Sequence, residues 1–287
     1  MSKGEKPSPL LAADALKGIR IALSASESSD FERLGLLDTH FRLALAEIAR
    51  SVLVGGGKLA YGGHLDPSGY TAYLVNELHR YSRRDQPLLI CLPWSEHRRV
   101  ALSFLSKQKD ELGLFGEIVC LDPDGNVVKP EVDRADAASP ETDANVRQRG
   151  LSAMRKHIVT KCDGLVVLGG RKAGFQGRIP GILEEVLAFL EAKKPVYLAG
   201  GYGGATLDAV GKVESAAAEW LPTITSDSPD PRLTQGLSEI DAIVSGRGWA
   251  ALDNGLTDVE NRRLAATHRS SEIAALVSLG LGRRFSR

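Results

Sequence analysis

Short apolar runs bounded by glycine or small polar residues alternate along this chain with longer stretches whose apolar positions recur at helical spacing. The runs GIRIALSAS (18–26), KLAYGG (58–63), PLLICLPW (87–94), GEIVCLD (116–122), DGLVVLGG (163–170) and KPVYLAGG (194–201) predict strands. Between them, residues 31–57 predict a helix stopped by three glycines, HLDPSGYTAYLVNELHRYSRR a loop and then a helix, and 96–108 another helix. Further helices are predicted over 144–162, in PGILEEVLAFLEAK and over 206–220, with short helices in the rest of the chain. Strands alternating with helices indicate an α/β protein with a doubly wound, mainly parallel sheet and a helical C-terminal tail. The polar stretch 123–143, rich in Pro and Asp, is too long for an ordinary connection and is expected to be a flap or an insertion. The domain reading is a disordered tail (1–15), a core (16–222) and C-terminal loop and helices (223–287) packed on that core.

Composition adds only boundaries. The 287 residues are 43% hydrophobic and 25% charged, with 36 basic and 36 acidic residues, so nothing global points to nucleic acid or a membrane surface. Three cysteines without metal spacing (Cys91, Cys120, Cys162) fit reduced, buried thiols. The first residues lack a signal-peptide core, and no window approaches the ~20 apolar residues of a membrane span, so a cytoplasmic protein is expected.

Ligands of an open parallel sheet bind beyond the carboxyl ends of its strands. Those ends here are Ser24-Ala25-Ser26, Gly62-Gly63-His64, Gly169-Gly170 and Gly200-Gly201-Tyr202-Gly203. Small residues at equivalent places suit a backbone floor whose N–H groups meet a phosphate, and equally suit tight turns. No Walker A motif and no G-x-G-x-x-G follows the first strand, which argues against a P-loop enzyme and an ordinary dehydrogenase. Glu184 and Glu185 follow Gly181 in the first turns of a predicted helix. Adjacent helix positions point about 100° apart, so at most one faces the cleft squarely. Such a carboxylate could accept from ribose hydroxyls or steady an oxocarbenium-like centre. Arg147, Arg149, Arg155 and Lys156 are candidate phosphate contacts, and Tyr202 and Trp94 candidate base stackers, with surface ion pairs and apolar cover as the alternatives.

Together, MRKHIVTKCDGLVVLGG, GRIPGILEEVLAFLEAKKPVYLAGGYGGAT, and more loosely RIALSASES, KLAYGGHLDPSGYTAYL and GLTDVENRRLAATHRSSEIAALVSLGL, resemble the SLOG superfamily of Rossmann-like domains. They look most like prokaryotic relatives of the domain at the N-terminus of TRPM channels. Two functions are implied. Sensor members are implied to bind NAD-derived nucleotides such as ADP-ribose or its cyclic forms, some of them in antiphage defence where a separate TIR-domain protein makes the ligand. More distant LOG-type phosphoribohydrolases cut a nucleotide between base and ribose phosphate, with the hallmark P-G-G-x-G-T-x-x-E. Here Gly169-Gly170, Gly181 and Glu185 match that hallmark, Leu168 replaces the proline, Ile182 replaces the threonine, and RKAGFQGRIP separates the halves. The resemblance implies Glu185 and Arg155 as catalytic residues if the chain is an enzyme. It implies a nucleotide ligand, no required cofactor or metal, and self-association into a homo-oligomer, with a separate effector. The apolar face of the C-terminal helices would serve a partner copy or the chain's own sheet equally well.

Overall fold

In the computed structural model, residues 14–81, 85–222 and 230–285 are described. Residues 1–13 of the expected tail and most of the expected loop after 222 lie outside them. Seven strands form one sheet in the order β5-β4-β3-β2-β1-β6-β7. They are β1 (Arg20–Ser26), β2 (Lys58–Gly62), β3 (Leu88–Leu92), β4 (Gly116–Leu121), β5 (Val127–Val128), β6 (Gly164–Gly169) and β7 (Val196–Ala199). All neighbours pair parallel except the short edge strand β5, which runs antiparallel to β4.

Strand side chains alternate between two cores. On β3, Leu88, Ile90 and Leu92 face one side and Leu89 and Cys91 the other, and every residue of the strand is buried. A parallel strand covered on both faces needs this continuous apolar run. The first core takes α1 (Asp38–Val54), α2 (Tyr70–Tyr81), α4 (Leu102–Leu112), α10 (Asp258–Ala266) and α11 (Ser270–Phe285). The second takes α6 (Ala144–Lys161), α7 (Gly181–Glu191), α8 (Gly204–Val213) and α9 (Pro231–Val244). Two short helices, α3 (Trp94–Arg98) and α5 (Pro130–Asp133), complete the order. The three cysteines are buried free thiols, and burial pushes Cys91 up to about 12 and Cys120 up to about 11.

Several boundaries differ from the sequence reading for physical reasons. The helix expected from residue 31 starts at Asp38, because the preceding segment turns inward. There Asp30 accepts from the Gly204 N–H at 2.7 Å, and the Phe31 ring lies 5.3 Å from Phe41. The helix expected over 96–108 is two helices. The Arg134 guanidinium donates to the carbonyls of His97 (2.7 Å), Arg98 (3.3 Å) and Val100 (2.9 Å), closing α3 and separating it from α4. Arg98 in turn donates to the Ser139 carbonyl at 3.1 Å. The 123–143 stretch is therefore a clasp around α3, fastened at both ends of that helix. The helix expected over 206–220 occupies Gly204–Val213, and the C-terminal helices expected to be short include one of 14 and one of 16 residues. The apolar face of α11 is covered by α1 of the same chain.

Candidate functional site

The chain reverses direction across the sheet at β1. From β1 it proceeds through α1 to β2 on one side, and from β6 through α7 to β7 on the other. A crevice must open beyond the carboxyl ends of β1 and β6, where the connecting helices diverge. A cavity of about 580 Å³ lies there, within the range of small-molecule sites. Its walls are the β1 end (Ser24–Glu27), the β2 end (Gly62–His64), the first turn of α7 and one face of α6.

Glu185 lies at the floor of this cavity and is 9% exposed. Burial raises its carboxyl from an ordinary 4.5 up to about 7, against the opposing Arg155 charge and a Ser24 side-chain hydrogen bond. Glu184, one position earlier, turns to α6. There its carboxylate accepts from Arg155 Nη1 and from the Ser152 hydroxyl. Of the two adjacent carboxylates, Glu185 is thus the one that lines the cleft. Arg155 is 8% exposed and also lines it, and its Nε has no protein partner. A Cβ at Gly181 would meet Arg155 Nη2 at 2.6 Å, so glycine at the start of α7 lets the guanidinium lie against the backbone. Pro180 precedes this helix without a side-chain cap. The first-turn N–H groups of α7 therefore carry their partial positive charge towards the cleft.

Arginines surround the mouth, each held by one carboxylate. Arg42 pairs with Asp38 and lies 5.2 Å over the Tyr70 ring; Arg99 pairs with Glu96 at 3.0 Å; Arg171 pairs with Glu27 at 3.1 Å. Exposed pairs of this kind are worth about 0–1 kcal/mol, so an arriving phosphate can take the guanidinium at little cost.

The structure gathers Ser24, Ala25, Ser26, Gly62, Gly63, His64, Arg155, Gly181 and Glu185 around one cavity. Gly169, Gly170, Glu184 and Gly200, Gly201, Tyr202 and Gly203 are not among its lining residues. The Gly169-Gly170 turn is pressed on its own protein: Gly170 N–H donates to the Ser26 carbonyl at 2.9 Å, and its carbonyl accepts from the Ala205 N–H at 3.0 Å. The last glycine turn serves the C-terminal helices. A Cβ at Gly201 would fall 1.7 Å from the Thr267 carbonyl oxygen. Tyr202 is fully buried, its hydroxyl within 3.0 Å of the carbonyls of both His40 and His268 and sharing its one proton between them, so its ring is unavailable to a base. Trp94 donates to Glu141 at 2.9 Å beneath Arg98 and covers the clasp. Arg147 holds the carbonyls of Glu141 and Thr142, and Arg149 pairs with Asp124 at 3.3 Å. Lys156 lines a separate shallow cavity beside Gly125.

Sequence reasoning did not single out Arg42, Arg99, Arg171, Tyr61, Tyr70 or Phe175. Apart from Arg171 and Phe175 they come from separate elements, and they share no spacing. The one available signal was RKAGFQGRIP, the stretch between Gly170 and Gly181, which supplies Arg171, Gly174, Phe175 and Gln176.

The sheet order and the crevice at its reversal place the chain in the class of Rossmann-like α/β domains. Comparison with protein-family models then matches residues 15–264 to the SLOG cluster2 family. The chain belongs to that family; α11 and the C-terminal end of α10 lie beyond the match. A search of curated proteins found no match. No helix among the described residues is long and apolar enough to cross a membrane.

Proposed function

We propose that this cleft is a receptor site for a nucleotide-derived ligand containing ribose phosphate, of the ADP-ribose or cyclic ADP-ribose kind. The observation that carries the reading is Glu185 at the cavity floor, one turn into an uncapped helix, beneath a rim of arginines. Ribose hydroxyls donate to Glu185. Phosphate oxygens accept from the first-turn N–H groups of α7, from the Arg155 guanidinium and from the rim arginines. Retention of the ligand rather than its cleavage is favoured by Ile182. Its side chain lines the cavity as an apolar group where a water-orienting hydroxyl would be useful, with Cδ1 packed against Gly170. In this reading the ligand comes from a separate NAD-consuming protein of the TIR type, as in antiphage signalling, and the output passes to another protein or through a homo-oligomer.

The second reading is an N-glycosidase acting on a nucleotide. The observation that favours it is the Glu185 carboxyl near 7, a value suited to proton transfer at neutral pH. Incubation with AMP, NAD, ADP-ribose and cyclic ADP-ribose separates the two. A rise in melting temperature with the nucleotide intact by mass spectrometry supports the receptor. Release of free base with ribose phosphate, abolished in Glu185→Gln, supports the hydrolase. Neither a shift nor product release with any of the four sinks both.

A further inference from the structure

The stretch between Gly170 and Gly181 is fastened at both ends and leaves a short tip over the cleft. At one end Lys172 donates to Asp208 at 2.8 Å. At the other Arg178 makes a two-pronged pair with Glu239 on α9, at 2.6 and 2.8 Å. The tip between them contains Gly174, at φ +69°, and the cavity-lining residues Phe175 and Gln176. Phe175 is a large apolar side chain left half-buried on the lining of a polar cavity. It is not idle in the fold: the Arg232 guanidinium, at the start of α9, lies 4.3 Å from its ring centroid. Arg232 is itself oriented by Asp230, at 2.7 Å, and donates to the Gly177 carbonyl at 3.2 Å, in the same tip.

We infer that Phe175 is the base-stacking platform of this site, with Arg232 as the residue that positions its ring; the inference rests on the receptor reading above and assigns the heterocycle's place within it. Two physical effects converge. A guanidinium on an aromatic ring draws π density towards itself, and the ring then accepts an electron-rich purine more favourably. The same contact, with the anchors at Lys172 and Arg178, holds the ring in place before the ligand arrives, so less side-chain freedom is lost on binding. Gln176, next in the chain, brings an amide donor and acceptor to the same wall for the edge of a base. The platform also defines a ligand with parts at two ends: base at the Phe175 tip, ribose at Glu185, phosphates between them and the arginine rim.

The test compares a ligand with a base and one without. AMP and ribose 5-phosphate are titrated calorimetrically into the wild type, Phe175→Ala, Phe175→Leu and Phe175→Trp. The expected result is an AMP affinity lowered about ten- to a hundredfold in F175A and F175L, retained in F175W, with ribose 5-phosphate affinity unchanged throughout. F175L keeps apolar volume at the tip, so a loss confined to F175A would report packing and overturn the stacking role. Equal losses for both ligands, or no loss for AMP, would also overturn it while leaving the receptor reading intact. Failure of the wild type to bind either ligand would overturn the stacking assignment, while the receptor reading would stand or fall separately with ADP-ribose and cyclic ADP-ribose.

Discussion

Glu185 makes the folded state sensitive to pH in a direction opposite to most carboxylates. Its carboxyl ionises near 4.5 in the unfolded chain and near 7 in the folded one. Between those values the folded state holds a proton that the unfolded state has released, so stability falls as pH rises through this window. At 1.36 kcal/mol per pH unit the full effect is about 3 kcal/mol, of which about 2–3 kcal/mol develops between pH 5 and pH 8. The wild-type curve alone would hide it. Burial lowers His97 from 6.5 to about 4, and this group removes stability as pH falls through that range, opposing Glu185 over much of the same interval. Glu185→Gln isolates the carboxylate, because the amide keeps the shape and never ionises. Urea unfolding of both proteins at pH 5, 6, 7 and 8 should show the variant gaining about 2–3 kcal/mol on the wild type from the lowest to the highest pH. Parallel stability curves would mean that Glu185 ionises in the folded state as readily as in water, and the buried-carboxyl description of the cleft floor would be wrong.

Arg155→Ala should cost about 3–5 kcal/mol, because it strands the Glu184 carboxylate in a buried position. Adding Glu184→Gln should recover part of that loss in urea melts, and additive losses would contradict the buried pair. Gly201→Ala should cost about 2 kcal/mol by pushing the link between α10 and α11 off the last glycine turn, without changing nucleotide affinity in the folded fraction. A weakened affinity at unchanged stability would return that turn to the ligand site. The His97 ring should stay neutral at pH 5 by NMR titration, with Nε2 near the Leu121 carbonyl at 3.1 Å; a midpoint near 6.5 would refute its burial.

Much of the sheet was legible because parallel strands buried on both faces read as unbroken apolar runs, and β3 is the clearest case. The carboxyl ends were legible for the same reason, which is why Ser24, Gly62 and Gly63, all lining the cleft, could be named from the sequence. The glycine turns were ambiguous in principle. A ligand's phosphate and the Thr267 carbonyl forbid a Cβ equally, and the letter at position 201 is the same in either case. The choice between Glu184 and Glu185 depended on where α6 would place Arg155, a tertiary fact. The arginine rim depended on α1, the end of α3 and the segment after β6 meeting, and its three members carry no shared spacing. The clasp at 123–143 depended on Arg134 reaching back to carbonyls more than thirty residues away in sequence, and a polar stretch with no apolar period gives no sign of such an anchor.

The proposed ligand, a ribose-phosphate nucleotide, would occupy the crevice between the β1 and β6 ends and no other cavity. Hydrogen–deuterium exchange with and without saturating ADP-ribose tests this most directly. Slowed exchange is expected in residues 24–27, 62–69 and 171–182, with residues 200–203 unchanged. No protection at all, or protection confined to the separate cavity lined by Asp30, Lys172 and Asp208, would contradict it.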